Sequence, residues 1–367
     1  MNSVVEWFLI NFFHKSKKNK NSRGISCFMT PEEKFELIKR NTEEIITEDE
    51  LKELLKKKKT PAVYLGTAIT GRPHIGYFVW VLKLADFLKA GFKVKLLLAD
   101  LHGALDQTPW DLLDKRYKYY ELVIPGMFEA IGVDIKNFEI VKGSDFQKNK
   151  DYFYDLLRMS TYSSVHDAKK AGSEVVKQSD NPRLAGLIYP LMQALDEEYL
   201  KVDIQYGGVD QRKILMFARE YLPKIGFAPR VEVMTPLIPG LIGEKMSASK
   251  EESKIDLLDD EVAVRAKLKK AYCPAGMVEG NGVLAFLKHV MMIVKQDNKE
   301  SFVISRPEKF GGAISYSSYD LLEQDYINKK IHPEDLKNAV AEEIIRLLKP
   351  LQKDMDKKLK IAKEAYA

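Results

Sequence analysis

Three short segments bring together residue types suited to phosphates and to a small polar ligand. The first runs Tyr64-Leu65-Gly66-Thr67-Ala68-Ile69-Thr70-Gly71-Arg72-Pro73-His74-Ile75-Gly76-Tyr77. An apolar run ends, a glycine-bearing turn follows, and a helix opens near Pro73, where free amide groups attract an anion. A P-loop needs Lys then Ser or Thr after its second glycine, and Arg72-Pro73 stands there instead. Read alone, the segment serves phosphate binding or plain strand–turn–helix packing. The second is Lys245-Met246-Ser247-Ala248-Ser249-Lys250, behind Pro239-Gly240-Leu241-Ile242-Gly243. Its glycines predict a mobile loop, and its lysines and hydroxyls suit a polyphosphate; alone it is equally a solvated surface loop. In the third, Tyr189, Gln193 and Asp196 are spaced i, i+4, i+7 on an apolar helix. They share one face bordered by Leu, Met and Ile. Buried polar groups must be paired, so this face either lines a small pocket for a ligand with polar ends or meets water.

The surrounding pattern says what positions these residues. Ala62–Leu65, Val94–Ala99 and Val202–Tyr206 read as strands, with Gly207-Gly208 as a tight turn. Ile75–Ala90, ended by Gly91, and Leu184–Leu200 read as helices. Near-continuous apolar strands alternating with helices predict an α/β fold: a parallel sheet covered on both faces, with ligands at the carboxyl ends of its strands. After about Ile255 strand signals fade, and Val262–Ala271, Val283–Lys295 and Pro333–Lys363 read as helices. A domain boundary is expected near residues 250–260. At the other end, Thr30-Pro31-Glu32-Glu33 is a helix start: cap, proline, acid in the first turn. Residues 1–28 read as a disordered basic extension or an upstream start ahead of Met29. Their apolar run precedes their charges, the reverse of a secretory signal.

Composition bounds the function classes. The 367 residues are 45% hydrophobic and 30% charged, which excludes a disordered or fibrous chain. No stretch approaches the apolar length of a membrane span. Two cysteines, Cys27 and Cys273, make no disulfide framework and fit a reducing compartment. Neither has a metal-like neighbour cluster, so no protein metal site is expected. Of the net charge of +5, most sits in residues 1–28, where Lys15, Lys17, Lys18, Lys20 and Arg23 face only Glu6. Any nucleic-acid surface on the body must come from local clustering.

Taken as an ordered pair about 170 residues apart, Pro73-His74-Ile75-Gly76 and Lys245-Met246-Ser247-x-Ser249 resemble the two signature motifs of class I aminoacyl-tRNA synthetases. Tyr189-Pro190-x-x-Gln193-Ala194-Leu195-Asp196 and Gly207-Gly208-Val209-Asp210-Gln211-Arg212-Lys213 narrow the likeness. With Ala99-Asp100-Leu101-His102 and His332-Pro333-Glu334-Asp335-Leu336-Lys337-Asn338 they are similar to tyrosyl-tRNA synthetases of the archaeal and eukaryotic cytosolic type. The similarity runs from about Glu32 to the end of the sequence.

The resemblance implies a Rossmann-like catalytic domain over 29–255 and an all-helical anticodon-binding domain over 256–367. His74, Lys245, Ser247 and Ser249 would be catalytic, stabilising ATP phosphates. Tyr64 and Asp196 would hold a phenolic hydroxyl, and Tyr189, Gln193 and Gln211 an ammonium group. Gly66, His74, Gly76, Gly208, Asp210, Lys245 and Met246 would line the ATP site. Asp100, His102 and Gln147 would be pocket walls. On the RNA side Phe310 would stack on an anticodon base and Asp335 bond it, with Lys170, Arg212 and Lys213 toward the acceptor end; from the residues alone, Phe310 reads as core and Asp335 as a helix start. The implied partners are L-tyrosine, ATP with Mg²⁺, tRNA(Tyr) and a second copy in a cytoplasmic homodimer, with neither membrane nor DNA. The departures are Tyr77, where the class motif has a second His, and a loop without a second lysine before its last serine, which shifts work to Mg²⁺, a potassium ion or Lys250. No appended further domain is expected. The alternatives are a tryptophan-specific relative, a non-catalytic RNA-binding paralogue, and a small-molecule nucleotidyltransferase, which leaves the helical part unexplained.

Overall fold

The computed structural model describes residues 29–176, 183–241 and 254–366. The basic extension and the Lys245–Lys250 loop lie outside the described residues.

Six strands form the main sheet: β1 (Glu44–Ile46), β2 (Ala62–Ala68), β3 (Lys93–Ala99), β4 (Phe138–Lys142), β5 (Ile204–Gly208) and β6 (Val231–Thr235). Their order is β1-β6-β5-β2-β3-β4, parallel except for β1, which pairs antiparallel with β6. The chain builds outward from β2 through β3 to β4, then returns beside β2 with β5 and continues to β6. The switch point therefore lies between β2 and β5, where an open α/β sheet parts its connecting loops and leaves a crevice. β2 and β3 are held in register from Ala62 opposite Lys93 to Ala68 opposite Ala99.

Burial explains the strands. Val63, Leu65, Val94, Leu96, Leu98, Ile204 and Val233 all enter the core. On one face the helix Phe78–Lys89 buries Phe78, Val81, Leu84 and Phe87 completely, each contributing about 1.5–3 kcal/mol where the side chain is large. Gly91 closes that helix at φ 84°, a conformation that favours glycine. At Thr30 the capping box forms as read: the Thr30 hydroxyl accepts from Glu33 N at 3.1 Å, and the Glu33 carboxylate accepts from Thr30 N at 2.7 Å.

Three local readings differ from the structure. Gly207 and Gly208 are not a turn; they end β5, paired with Met234 and Thr235. The helix expected over Pro333–Lys363 divides into Pro333–Leu348 and Met355–Tyr366, with Pro350 between them and Asp354 at φ 54°. The C-terminal part is helical but carries one hairpin, β7 (Phe302–Ile304) and β8 (Ile314–Tyr316). Three-residue strands give too little alternation to register as a pattern.

The apolar core is continuous from the sheet into the C-terminal helices, joining Phe87 and Leu96 with Leu336, Ile344 and Leu351. Arg40 adds a polar tie: it donates to Asp86 on the Phe78–Lys89 helix at 3.0 Å and to Asp297 at 2.6 Å.

Candidate active site

A cleft of about 280 Å³ opens where β2 and β5 end. Gly66, Thr67, His74, Gly76, Gln193, Gly208, Asp210 and Gln211 line it. The glycines at the end of β5 make room for the side chains that follow. A Cβ on Gly208 would sit 2.7 Å from Asp210 Oδ1, and one on Gly207 would sit 3.0 Å from Gln211 Cγ. Asp210 and Gln211 can therefore fold back over the strand end.

His74 caps the short turn Ile75–Tyr77, its Nδ1 accepting from Gly76 N at 3.2 Å. Burial, then the nearby Lys254 charge, pushes its pKa down to about 3. A neutral imidazole with Nδ1 accepting carries its proton on Nε2, so His74 offers a donor without a positive charge. Residues just after the second motif pack on this turn: Ile75 N donates to Ile255 O at 2.9 Å, and Arg72 donates to Asp256 at 2.9 Å. The two motifs converge to this extent. Lys245, Met246, Ser247 and Ser249 themselves lie outside the described residues.

The Leu184–Tyr199 helix carries the third site. Tyr189 is buried and meets His102 edge-on, ring centroids 4.6 Å apart. Gln193 donates to Gln211 Oε1 at 3.2 Å, and its backbone carbonyl accepts from the fully buried Tyr64 hydroxyl at 3.2 Å. Gln193 thus links the cleft to the buried polar cluster around Tyr64 and Asp196.

On the same helix, three residues on, Asp196 is 1% exposed. Its Oδ1 accepts from Gln147 at 2.8 Å and from the Tyr152 hydroxyl at 2.9 Å. Among the described residues its Oδ2 has no hydrogen-bond partner, and Gln147 Oε1 is likewise unpaired. Burial pushes Asp196 up to about 8, against the pull of both donors. His102, 3.8 Å from Oδ2, is held down to about 4 by burial. Burial, then the Asp196 charge, pushes the Tyr64 phenol well above its usual range, so it stays a donor. A buried carboxyl oxygen without a partner, beside the cleft-lining Gln193 on the same helix, is chemically suited to a ligand hydroxyl.

Tyr152 escaped sequence reading. It comes from the helix Lys150–Tyr162, also donates to Met192 O at 2.8 Å, and belongs to no motif. Asp100, expected as a pocket wall, is buried, and its Oδ1 accepts from Ser144 N at 2.8 Å just past the end of β4.

Residues 17–349 match the family described as tRNA synthetases class I (W and Y). The chain belongs to this family. The cytoplasmic tyrosine–tRNA ligase of Gallus gallus is 52% identical over 324 residues, covering 88% of this chain and 60% of that protein. The tyrosine–tRNA ligase of Haloarcula marismortui is 46% identical over 340 residues, 92% of this chain and 98% of that protein. The structure of tyrosyl-tRNA synthetase from Archaeoglobus fulgidus, complexed with L-tyrosine, superposes with a TM-score of 0.82 at 38% identity, covering 89% of this chain and 99% of that one. The chain spans about three-fifths of the length of several relatives it matches.

On this synthetase fold the residues expected on the RNA side lie away from the cleft lining. Phe310 ends the short turn Glu308–Phe310 between β7 and β8 and is 60% exposed, so it is no core residue. Lys309 Nζ sits 4.9 Å from its ring centroid. Asp335 lies in the first turn of Pro333–Leu348, half-buried, behind the His332 cap. Lys170 is exposed. Arg212 and Lys213 are engaged: Arg212 forks onto Glu44 at 2.7 and 3.0 Å, and Lys213 pairs with Glu174 at 2.8 Å.

Proposed function

We propose that the chain is a tyrosine–tRNA ligase. It activates L-tyrosine with ATP to tyrosyl-adenylate and pyrophosphate, then transfers tyrosine to the 3′ end of tRNA(Tyr). The observation that carries this reading is the buried Asp196 Oδ2, without a partner among the described residues, in the neighbourhood of the fully buried Tyr64 phenol. A tyrosine hydroxyl supplies the missing partner; the indole of tryptophan carries no phenolic hydroxyl.

With the ring set there, the ammonium group falls to Tyr189, Gln193 and Gln211. The carboxylate then faces the cleft at the switch point, where Gly66, Gly76, Gly208 and Asp210 receive adenosine. A carboxylate oxygen attacks the α-phosphate in line; the bond to the β-phosphate bridging oxygen breaks, and pyrophosphate leaves. Positioning and charge stabilisation supply the catalysis. His74 donates from Nε2 to phosphate, and Lys245, Ser247 and Ser249 act on the same group, with Met246 lining the ATP site. Among the described residues no set of three His, Cys, Asp or Glu side chains gathers as a metal cage, so Mg²⁺ would travel on the ATP phosphates and neutralise charge there.

Residues 29–255 form the catalytic part and 256–367 the anticodon-reading part. Phe310 stacks on an anticodon base and Asp335 bonds its edge, while Lys170, Arg212 and Lys213 approach the acceptor end. Phe153, Tyr154, Leu157, Tyr162 and Val165, all more than half exposed on and beside the Lys150–Tyr162 helix, support a homodimer through a self-complementary face. The enzyme works in the cytoplasm, without membrane or DNA as partner.

ATP–pyrophosphate exchange, run with each of the twenty amino acids and without tRNA, tests the reading. Exchange with tyrosine alone is expected. Exchange driven by tryptophan, or by no amino acid from folded protein, would contradict it.

A further inference from the structure

Three successive carbonyls precede Arg72-Pro73-His74, and all three are tied from behind. Arg116, on the helix Leu113–Ala130, donates from Nη1 to Thr70 O at 2.5 Å and to Ile69 O at 3.4 Å. Gly71 O accepts from the Tyr120 hydroxyl at 2.6 Å and from the Tyr366 hydroxyl at 3.0 Å. Tyr366 belongs to the last described helix, Met355–Tyr366, 295 residues away in sequence. Arg116 holds that helix too: its Nε donates to Ala365 O at 3.2 Å, and its guanidinium lies 4.9 Å from the Tyr366 ring centroid. Tyr366 also meets Tyr119 edge-on at 5.6 Å.

The same network absorbs Tyr77, which stands where the class motif has a second histidine. Its hydroxyl lies 3.1 Å from the Tyr120 hydroxyl, and its ring meets His74 edge-on at 4.9 Å. A continuous line of contacts runs Tyr366, Gly71, Tyr120, Tyr77, His74. Each phenol is desolvated and stays protonated, so each can donate.

We infer that the C-terminal helix Met355–Tyr366 braces the nucleotide-binding turn, with Tyr366, Tyr120 and Arg116 as positioning residues that fix Ile69–Gly71 and thereby His74. Resting on the proposed ATP site, the inference also gives Tyr77 a role: it steadies the turn and leaves phosphate contact to His74. The brace ties the part of the chain proposed to read the anticodon directly to the loop proposed to hold ATP. No contact with substrate by Tyr366 is required.

The test is Tyr366→Phe, which keeps the ring packing on Tyr119 and Arg116 and removes only the hydroxyl. Amide hydrogen exchange of residues 69–76 should quicken about five-fold, the scale of one hydrogen bond. In pyrophosphate exchange KM for ATP should rise about five-fold with KM for tyrosine unchanged. Tyr117→Phe is the control: it lies on the helix Leu113–Ala130 beside Arg116 and Tyr120, and among the described residues its hydroxyl reaches Glu121 alone, at 2.9 Å, so it should move neither readout. Unchanged loop exchange and unchanged ATP KM in Tyr366→Phe would overturn the brace, as would an equal rise in both KM values. If wild-type protein shows no pyrophosphate exchange, the proposed function fails, while amide exchange still decides the brace.

Discussion

Asp196 is 1% exposed and Phe310 is 60% exposed, and the two regions around them follow different physics. Asp196 sits in a lattice of fixed donors, Gln147 and Tyr152, with one oxygen left open inside low-dielectric surroundings. Recognition proposed there would be close to all-or-none, because a ligand without a donor at that point leaves a buried polar atom unpaired. Phe310 offers an open ring on a hairpin turn. Stacking on such a ring is graded and tolerant, each contact contributing a modest increment. On the proposed function the first region would select a small molecule and the second would add to the affinity of a large one.

That contrast can be broken at either end, and the effects should differ in size. Asp196→Ala removes the carboxyl that receives the hydroxyl. Tyrosine-dependent pyrophosphate exchange should fall about 10⁴-fold in kcat/KM. His74→Ala tests the phosphate side of the cleft: kcat should fall about 10²–10³-fold with KM for tyrosine unchanged. Because burial holds His74 at about 3, it is neutral from pH 5 upward, and the pH–rate profile should show no break near 6.5 that disappears in the variant. Phe310→Ala should lower kcat/KM for tRNA charging about ten-fold and leave pyrophosphate exchange untouched. Loss of exchange in that variant would erase the distinction between the regions.

The smallest effect concerns the scaffold beneath the pocket. Glu197 and Glu232 are fully buried without hydrogen-bond partners among the described residues, and burial pushes both well up. The folded state therefore holds protons that the unfolded state releases. Their contribution to stability is complete below the ordinary carboxylate range and is lost as pH rises through the raised values. Glu232→Gln should shrink the fall in Tm between pH 5 and pH 8 by about 2–4 °C, with pyrophosphate exchange unchanged.

Legibility in the sequence followed the same divide. The strands flanking the switch point were readable because buried parallel strands are apolar throughout; helical spacing put Tyr189, Gln193 and Asp196 on one face, and only the family resemblance chose a ligand over water for it. Tyr152 was not, because a single tyrosine reaching Asp196 from another helix leaves no periodic trace. The brace at Gly71 joins residues 295 positions apart through a carbonyl, which no side-chain pattern encodes. The end of β5 was misread because two glycines suggest a turn; here they clear space for Asp210 and Gln211. Residue type alone favoured a core position for Phe310, and its exposure shows how weakly one aromatic specifies burial.

The most direct measurement is the ratio of kcat/KM for tyrosine over phenylalanine in pyrophosphate exchange with the wild-type chain. Sites that hydrogen-bond a substrate hydroxyl reject the analogue lacking it by about 10⁴–10⁵-fold, tyrosyl-tRNA synthetases being the known case. A ratio on that scale, collapsing in Asp196→Ala, is the predicted result. A ratio within ten-fold of unity would mean that the open oxygen of Asp196 does not read the hydroxyl, and the account of the pocket would be wrong.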